Sequence, residues 1–158
     1  KQREEDNKFQ KEQENKLVTY FTSLSSILNK YDIARTDLGN ILSKIRQGGF
    51  TYQDFYRAVE EARQSRTDLR NEVNSLPYIN KDTEMLKKEL SNVLTESINY
   101  CEVKRAGIKI EQDSGFISDL ASSKYAEADK IDSDIKRDFS KFSSDFEKIK
   151  DILMPNEN

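Results

Sequence analysis

The chain has 158 residues, 35% of them charged and 35% hydrophobic, with 26 lysines and arginines against 29 acidic residues and a formal net charge of -3. Five glycines and two prolines are too few breakers for a many-turned β protein, and the interspersed signs present no basic face that could neutralise several phosphates, so nucleic acid is not an expected partner. One cysteine and no histidine exclude an intrachain disulfide and a structural zinc site built from several thiolates and imidazoles.

The first apolar seam runs Leu17, Phe21, Leu24, Leu28, Tyr31, Leu38, Leu42 and Ile45, in steps of four and three with Arg35 in one slot. It predicts a long amphipathic helix that starts in the polar segment before Lys16 and stops near Gln47, where Gly48-Gly49 tolerates left-handed backbone. Gly39 inside it costs up to ~1 kcal/mol relative to alanine, which suggests a bend or a close helix contact there.

Helix two is expected to begin at Tyr52. Thr51 is placed to cap it, Asp54 stands at its third position, and Phe50 and Phe55 have the spacing of a hydrophobic staple. Its seam, Phe55, Val59, Ala62, Leu69 and Val73, ends at Leu76-Pro77 because the residue before proline is steered away from α geometry.

A third helix, capped by Asn80 or Asp82, carries Leu86, Leu90, Val93 or Leu94, Ile98, Cys101 and Ile108. Asp113-Ser114-Gly115 is its expected stop, unless a longer helix absorbs it. The fourth reads Ile117, Leu120 or Ala121, Tyr125, Ala128, Ile131, Ile135, Phe139, Phe142, Phe146, Ile149 and Leu153. Its two successive steps of four at Ile131, Ile135 and Phe139 form a stutter.

These elements predict an all-α fold: an antiparallel up-and-down bundle of four helices, or three if the second and third join as one kinked rod. A chain of this size is expected to form one domain, 1–158, with residues 1–16 a polar helix start or spacer and 155–158 a polar tail. No apolar run approaches the ~18 to 20 residues of a membrane span, so the chain is expected to be soluble. Its polar start without methionine reads as a trimmed chain, from which a signal or anchor could have been removed.

Catalytic chemistry is hard to place. Without histidine there is no Ser-His-Asp or Cys-His set, no HExxH helix and no Glu-x-x-His pair, and Gly48-Gly49 does not continue into a phosphate loop. Asp129, Asp132, Asp134 and Asp138 are dense enough to consider a hard cation, but they lack calcium-loop spacing and are interleaved with Lys130, Lys136 and Arg137, as on a solvated face. Cys101 has no base and reads as structural. The expectation is therefore a protein that is not an enzyme, with no cofactor and no metal. The aromatic group Phe50, Tyr52, Phe55 and Tyr56 at one end of the bundle is the candidate partner-binding feature, with Tyr52 and Tyr56 one turn apart. The aromatic run Phe139, Phe142 and Phe146 has the spacing of core.

A lysine-, asparagine- and serine-rich chain with a polar start, long helices and no catalytic set resembles the helical ectodomains of small Gram-positive bacterial surface lipoproteins. That resemblance implies an extracytoplasmic, lipid-anchored protein, with Lys1 to Lys16 as spacer. The function expected is a helical interaction module that binds a protein or cell-envelope component. The alternative is a cytosolic coiled-coil scaffold that self-associates through Ile108, Ile110 and Phe116, and an enzyme or small-ligand carrier with a site between helices is the third reading.

Overall fold

Capping signals divide the chain where hydrophobic periodicity alone leaves it ambiguous. The computed structural model describes residues 1–49 and 51–155, Arg46 through its backbone alone. It contains α1 (Gln2–Arg46), α2 (Tyr52–Asn74), α3 (Lys81–Ser114) and α4 (Asp119–Leu153), packed as an antiparallel up-and-down bundle. The described residues form four helices, because two capping devices cut the alternative rod. Ser75 closes α2, and Asn80 Oδ1 accepts from the Thr83 amide at 2.9 Å while Thr83 Oγ1 accepts from the Asn80 amide at 3.2 Å. Gly115 ends α3 in the left-handed region at φ +76°, its amide donating to the Glu111 carbonyl at 2.8 Å. Ser118 then caps α4 through the Ala121 amide, so Ile117 lies outside the helix that its apolar character had suggested it would open.

The main core joins all four helices. Tyr20, Phe21, Leu24, Ile27 and Tyr31 of α1 meet Leu69 and Val73 of α2, Leu86 to Leu94 of α3, and Ile135, Phe142, Phe146 and Ile149 of α4. Aromatic rings run through it: Phe21 lies 5.7 Å from Phe146, Phe146 5.9 Å from Phe142, and Tyr31 5.4 Å from Phe139. Burying each such side chain contributes about 1.5–3 kcal/mol, which makes this region the main source of stability. A smaller cluster of Leu38, Val59, Ala62, Cys101 and Ile108 occupies the other end.

The first turns of α1 take no part in either cluster. Residues 1–16 are exposed except for half-buried Gln13, so Gln2–Lys16 forms a helical stalk of about 22 Å. Gly39 makes no close helix contact: α1 continues through it, and a Cβ built there meets nothing within 4 Å. No helix of the described residues is long and apolar enough to cross a membrane.

Candidate functional site

The end that holds the smaller cluster carries the α1–α2 and α3–α4 turns. Gly48 and Gly49, at φ +91° and +94°, turn the chain out of α1 in a conformation other residues rarely adopt. Thr51 restarts it with a reciprocal capping box: Thr51 Oγ1 accepts from the Asp54 amide and Asp54 Oδ2 from the Thr51 amide, each at 3.1 Å. Hydrogen bonding to Thr51, first through its backbone amide and then through its side chain, holds the Asp54 carboxyl below its ordinary range. The restart brings Tyr52 and Phe55, with Leu42 and Ile45 of α1, to the lining of a cleft of about 700 Å³.

The far wall depends on a glycine. A Cβ on Gly107 would stand 2.8 Å from Tyr125 Cε1 and 3.2 Å from Lys124 Cβ, so only the bare backbone lets the Tyr125 ring lie on α3. Tyr125 donates its hydroxyl to Glu111 Oε2 at 3.1 Å, and burial followed by the Glu111 charge raises its pKa well above the ordinary tyrosine value. The Lys104 ammonium lies 5.2 Å from the Tyr125 ring centre and 6.0 Å from that of Tyr100. Lys104 and Glu111 are each only 8% exposed. The cleft is therefore apolar on the α1–α2 side and charged and aromatic on the α3–α4 side, the composition of a site that takes an amphipathic group.

The four sequence-predicted residues are not all together. Tyr52, 37% exposed, and half-buried Phe55 both line the cleft. Tyr56 is half-buried on the α2–α3 face instead, with the Arg105 guanidinium 5.8 Å above its ring and Arg105 paired with Glu60. Phe50 lies outside the described residues, and with it the staple to Phe55. Lys104, Glu111, Tyr125, Leu42 and Ile45 were absent from the predicted site. Their signal was a charge in an apolar slot: Cys101, Lys104, Ile108 and Glu111 follow one seam of α3 in steps of three and four.

Other expectations resolve around this site. The turn at the same end exposes Phe116 (64%), Ile117 (61%) and Leu120 (60%), an apolar surface of the kind that marks interaction sites. Of the three residues considered for self-association, Ile108 is fully buried and Ile110 half-buried, which leaves Phe116 on the surface. Cys101 is fully buried, and burial pushes its thiol up to about 11, away from nucleophilic use. Asp132 pairs with Lys136 at 3.0 Å, while Asp134 and Asp138 both pair with Arg137; no group of three metal-ligating side chains occurs among the described residues.

The chain matches no protein-family model, no curated protein and no solved structure.

Proposed function

We propose that the chain is a non-enzymatic binding module that receives a protein or cell-envelope partner at the bundle end formed by the α1–α2 and α3–α4 turns, displayed on a bacterial surface. The observation that carries this reading is the cleft of about 700 Å³, lined by Tyr52 and Phe55 together with Tyr125, Lys104 and Glu111. Beyond it, the exposed Phe116, Ile117 and Leu120 widen the apolar surface at that end. The absence of histidine from the sequence and the buried, high-pKa thiol of Cys101 support a role in binding over one in catalysis. The exposed helical stalk of α1 supports surface display, since about 22 Å of helix would hold the binding end away from an anchor.

Photo-crosslinking in native cells tests this directly. With p-benzoylphenylalanine at Ile117, one discrete crosslinked species is expected, and it should fade when Tyr52 and Phe55 are both replaced by alanine. The same probe at Ile33, equally exposed on α1 but far from the turns, should give none. Equal crosslinking from both positions, or none from Ile117, removes the reading. Mass spectrometry of the native N-terminus tests display separately: a lipid-modified cysteine upstream of Lys1 supports it, and an unprocessed cytosolic start removes it.

A further inference from the structure

Between the two core clusters the bundle has a polar waist, with arginines in two seam slots. Arg35 follows Tyr31 and precedes Leu38 on α1, and Arg66 stands between Ala62 and Leu69 on α2, each in three-and-four steps. Arg66 is 4% exposed. Its Nη1 donates to the Ala62 carbonyl at 3.2 Å, which occupies one of the five N–H donors of a guanidinium. Arg35 sits half-buried, 5.6 Å from the Tyr31 ring centre and 5.3 Å from that of Phe139, and Arg66 lies 6.0 Å from the same Tyr31 ring. Both line one cleft of about 380 Å³, which adjoins the end cleft at Leu42.

Neither guanidinium has a carboxylate within ion-pairing distance among the described residues. The cleft's acids are Asp32, exposed on α1, and Asp132, whose Oδ2 is taken by Lys136 at 3.0 Å. Its other polar groups are neutral and in part already satisfied. The Tyr31 hydroxyl and Ser97 Oγ bond to each other, and burial raises Tyr31 and pushes Tyr100 up to about 12. Elsewhere the bundle handles half-buried arginines differently, since Arg63 and Arg105 both close on Glu60. A cation buried without a paired counter-charge costs several kcal/mol, and neither acid of the waist lies within ion-pairing distance of Arg35 or Arg66.

We propose that the waist cleft binds a small oxyanion, a phosphate or carboxylate group, through the guanidiniums of Arg35 and Arg66. Planar guanidinium donors suit both groups, and an anion there would neutralise a charge that the fold leaves buried. The site is separate from the end cleft and does not depend on the partner proposed for it.

Thermal unfolding in low-chloride buffer, matched for ionic strength, supplies the test, with inorganic phosphate and succinate as probes. At least one should raise the melting temperature saturably, and which of them does so identifies the group. Arg66→Met should weaken the apparent affinity by about tenfold or more, as expected for loss of hydrogen bonds to a charged group, while the free variant melts no lower than the parent. Arg35→Gln, at a more exposed position, should weaken it in the same direction. No saturable response to either probe overturns the proposal, and so does an undiminished response in Arg66→Met. Should Arg66→Met fail to fold, an undiminished response in Arg35→Gln overturns it equally.

Discussion

The two ends of this bundle are built to different standards. Among the described residues, one buries fifteen apolar side chains from four helices in a continuous core; the other assembles five, around Leu38 and Ile108. Towards that sparser end the seams also carry Arg66, Lys104 and Glu111, all at least nine-tenths buried. Filling those slots with leucine would tighten the helices, and the sequence keeps charge there instead. Stability is concentrated in the end near Phe142, while the other end keeps clefts and polar side chains that a purely structural bundle would not need.

Core truncation tests the comparison most severely. Phe142→Ala removes a fully buried ring between Phe139 and Phe146 and should cost about 3–5 kcal/mol in urea unfolding. Leu38→Ala should cost only about 2 kcal/mol, the low end for such a change, because Leu38 borders the open waist cleft. Equal losses at the two positions would mean that the ends are equally well packed.

Two glycines sharpen the contrast at smaller scale, with opposite signs. Gly39→Ala meets empty space in the middle of α1 and should stabilise by up to ~1 kcal/mol. Gly107→Ala gains the same propensity but drives a Cβ into Tyr125, and overpacking of about 1–3 kcal/mol should leave it destabilised by about 1 kcal/mol net. Shifted Tyr125 ring resonances should accompany that loss, since the hydroxyl would be pulled from Glu111. A neutral Gly107→Ala with unmoved ring signals would show that the cleft wall does not rest on this glycine.

The fold was legible because its information is local. Thr51 with Asp54, Asn80 before Thr83, and Gly115 each mark a boundary within four residues, and the three-and-four spacing of Phe139, Phe142 and Phe146 placed them in the core where they lie. The site was less legible because convergence of side chains from different helices is not local. Tyr52 and Tyr56 are one turn apart, yet one lines the end cleft and the other lies under Arg105. Gly39 drew notice as a helix-interior glycine, but it is Gly107 that a neighbouring ring approaches, and no spacing within α3 reveals that Tyr125 of α4 lies opposite. What the sequence did contain was the misplaced charge, at Arg35, Arg66, Lys104 and Glu111. A charge in a seam slot whose neighbours are apolar is itself the mark of a cleft, because a closed core would exclude it.

The smallest expected effect is one of pH, set by two carboxyl pairs along the α3–α4 seam. Glu89 faces Asp145 and, seven residues along each antiparallel helix, Glu96 faces Asp138. Lys141 bridges the first pair, at 2.8 Å from Glu89 and 3.1 Å from Asp145. In the second, Glu96 Oε2 is buried without a hydrogen-bond partner among the described residues, and burial, followed by hydrogen bonding to Asp138 and then the Asp138 charge, pushes the Glu96 carboxyl from 4.5 up to about 7. The folded protein therefore holds this proton more tightly than the unfolded chain. Its contribution is complete below pH 4.5 and is lost as pH rises through about 7, while Asp138, held low chiefly by Arg137, acts in the opposite sense and loses its contribution in acid. The melting temperature should fall modestly between pH 4.5 and about 7, since both carboxyls are partly solvated. Glu96→Gln keeps a donor for Asp138 and should flatten that fall, whereas Glu89→Gln, beside Lys141, should leave it largely in place. Amide exchange should localise the loss, with the α3–α4 seam near Glu96 opening as pH rises while the core around Phe146 stays protected. If the parent and Glu96→Gln decline in parallel, the pH dependence arises elsewhere, and the seam would not be the point at which the two ends of the bundle part in stability.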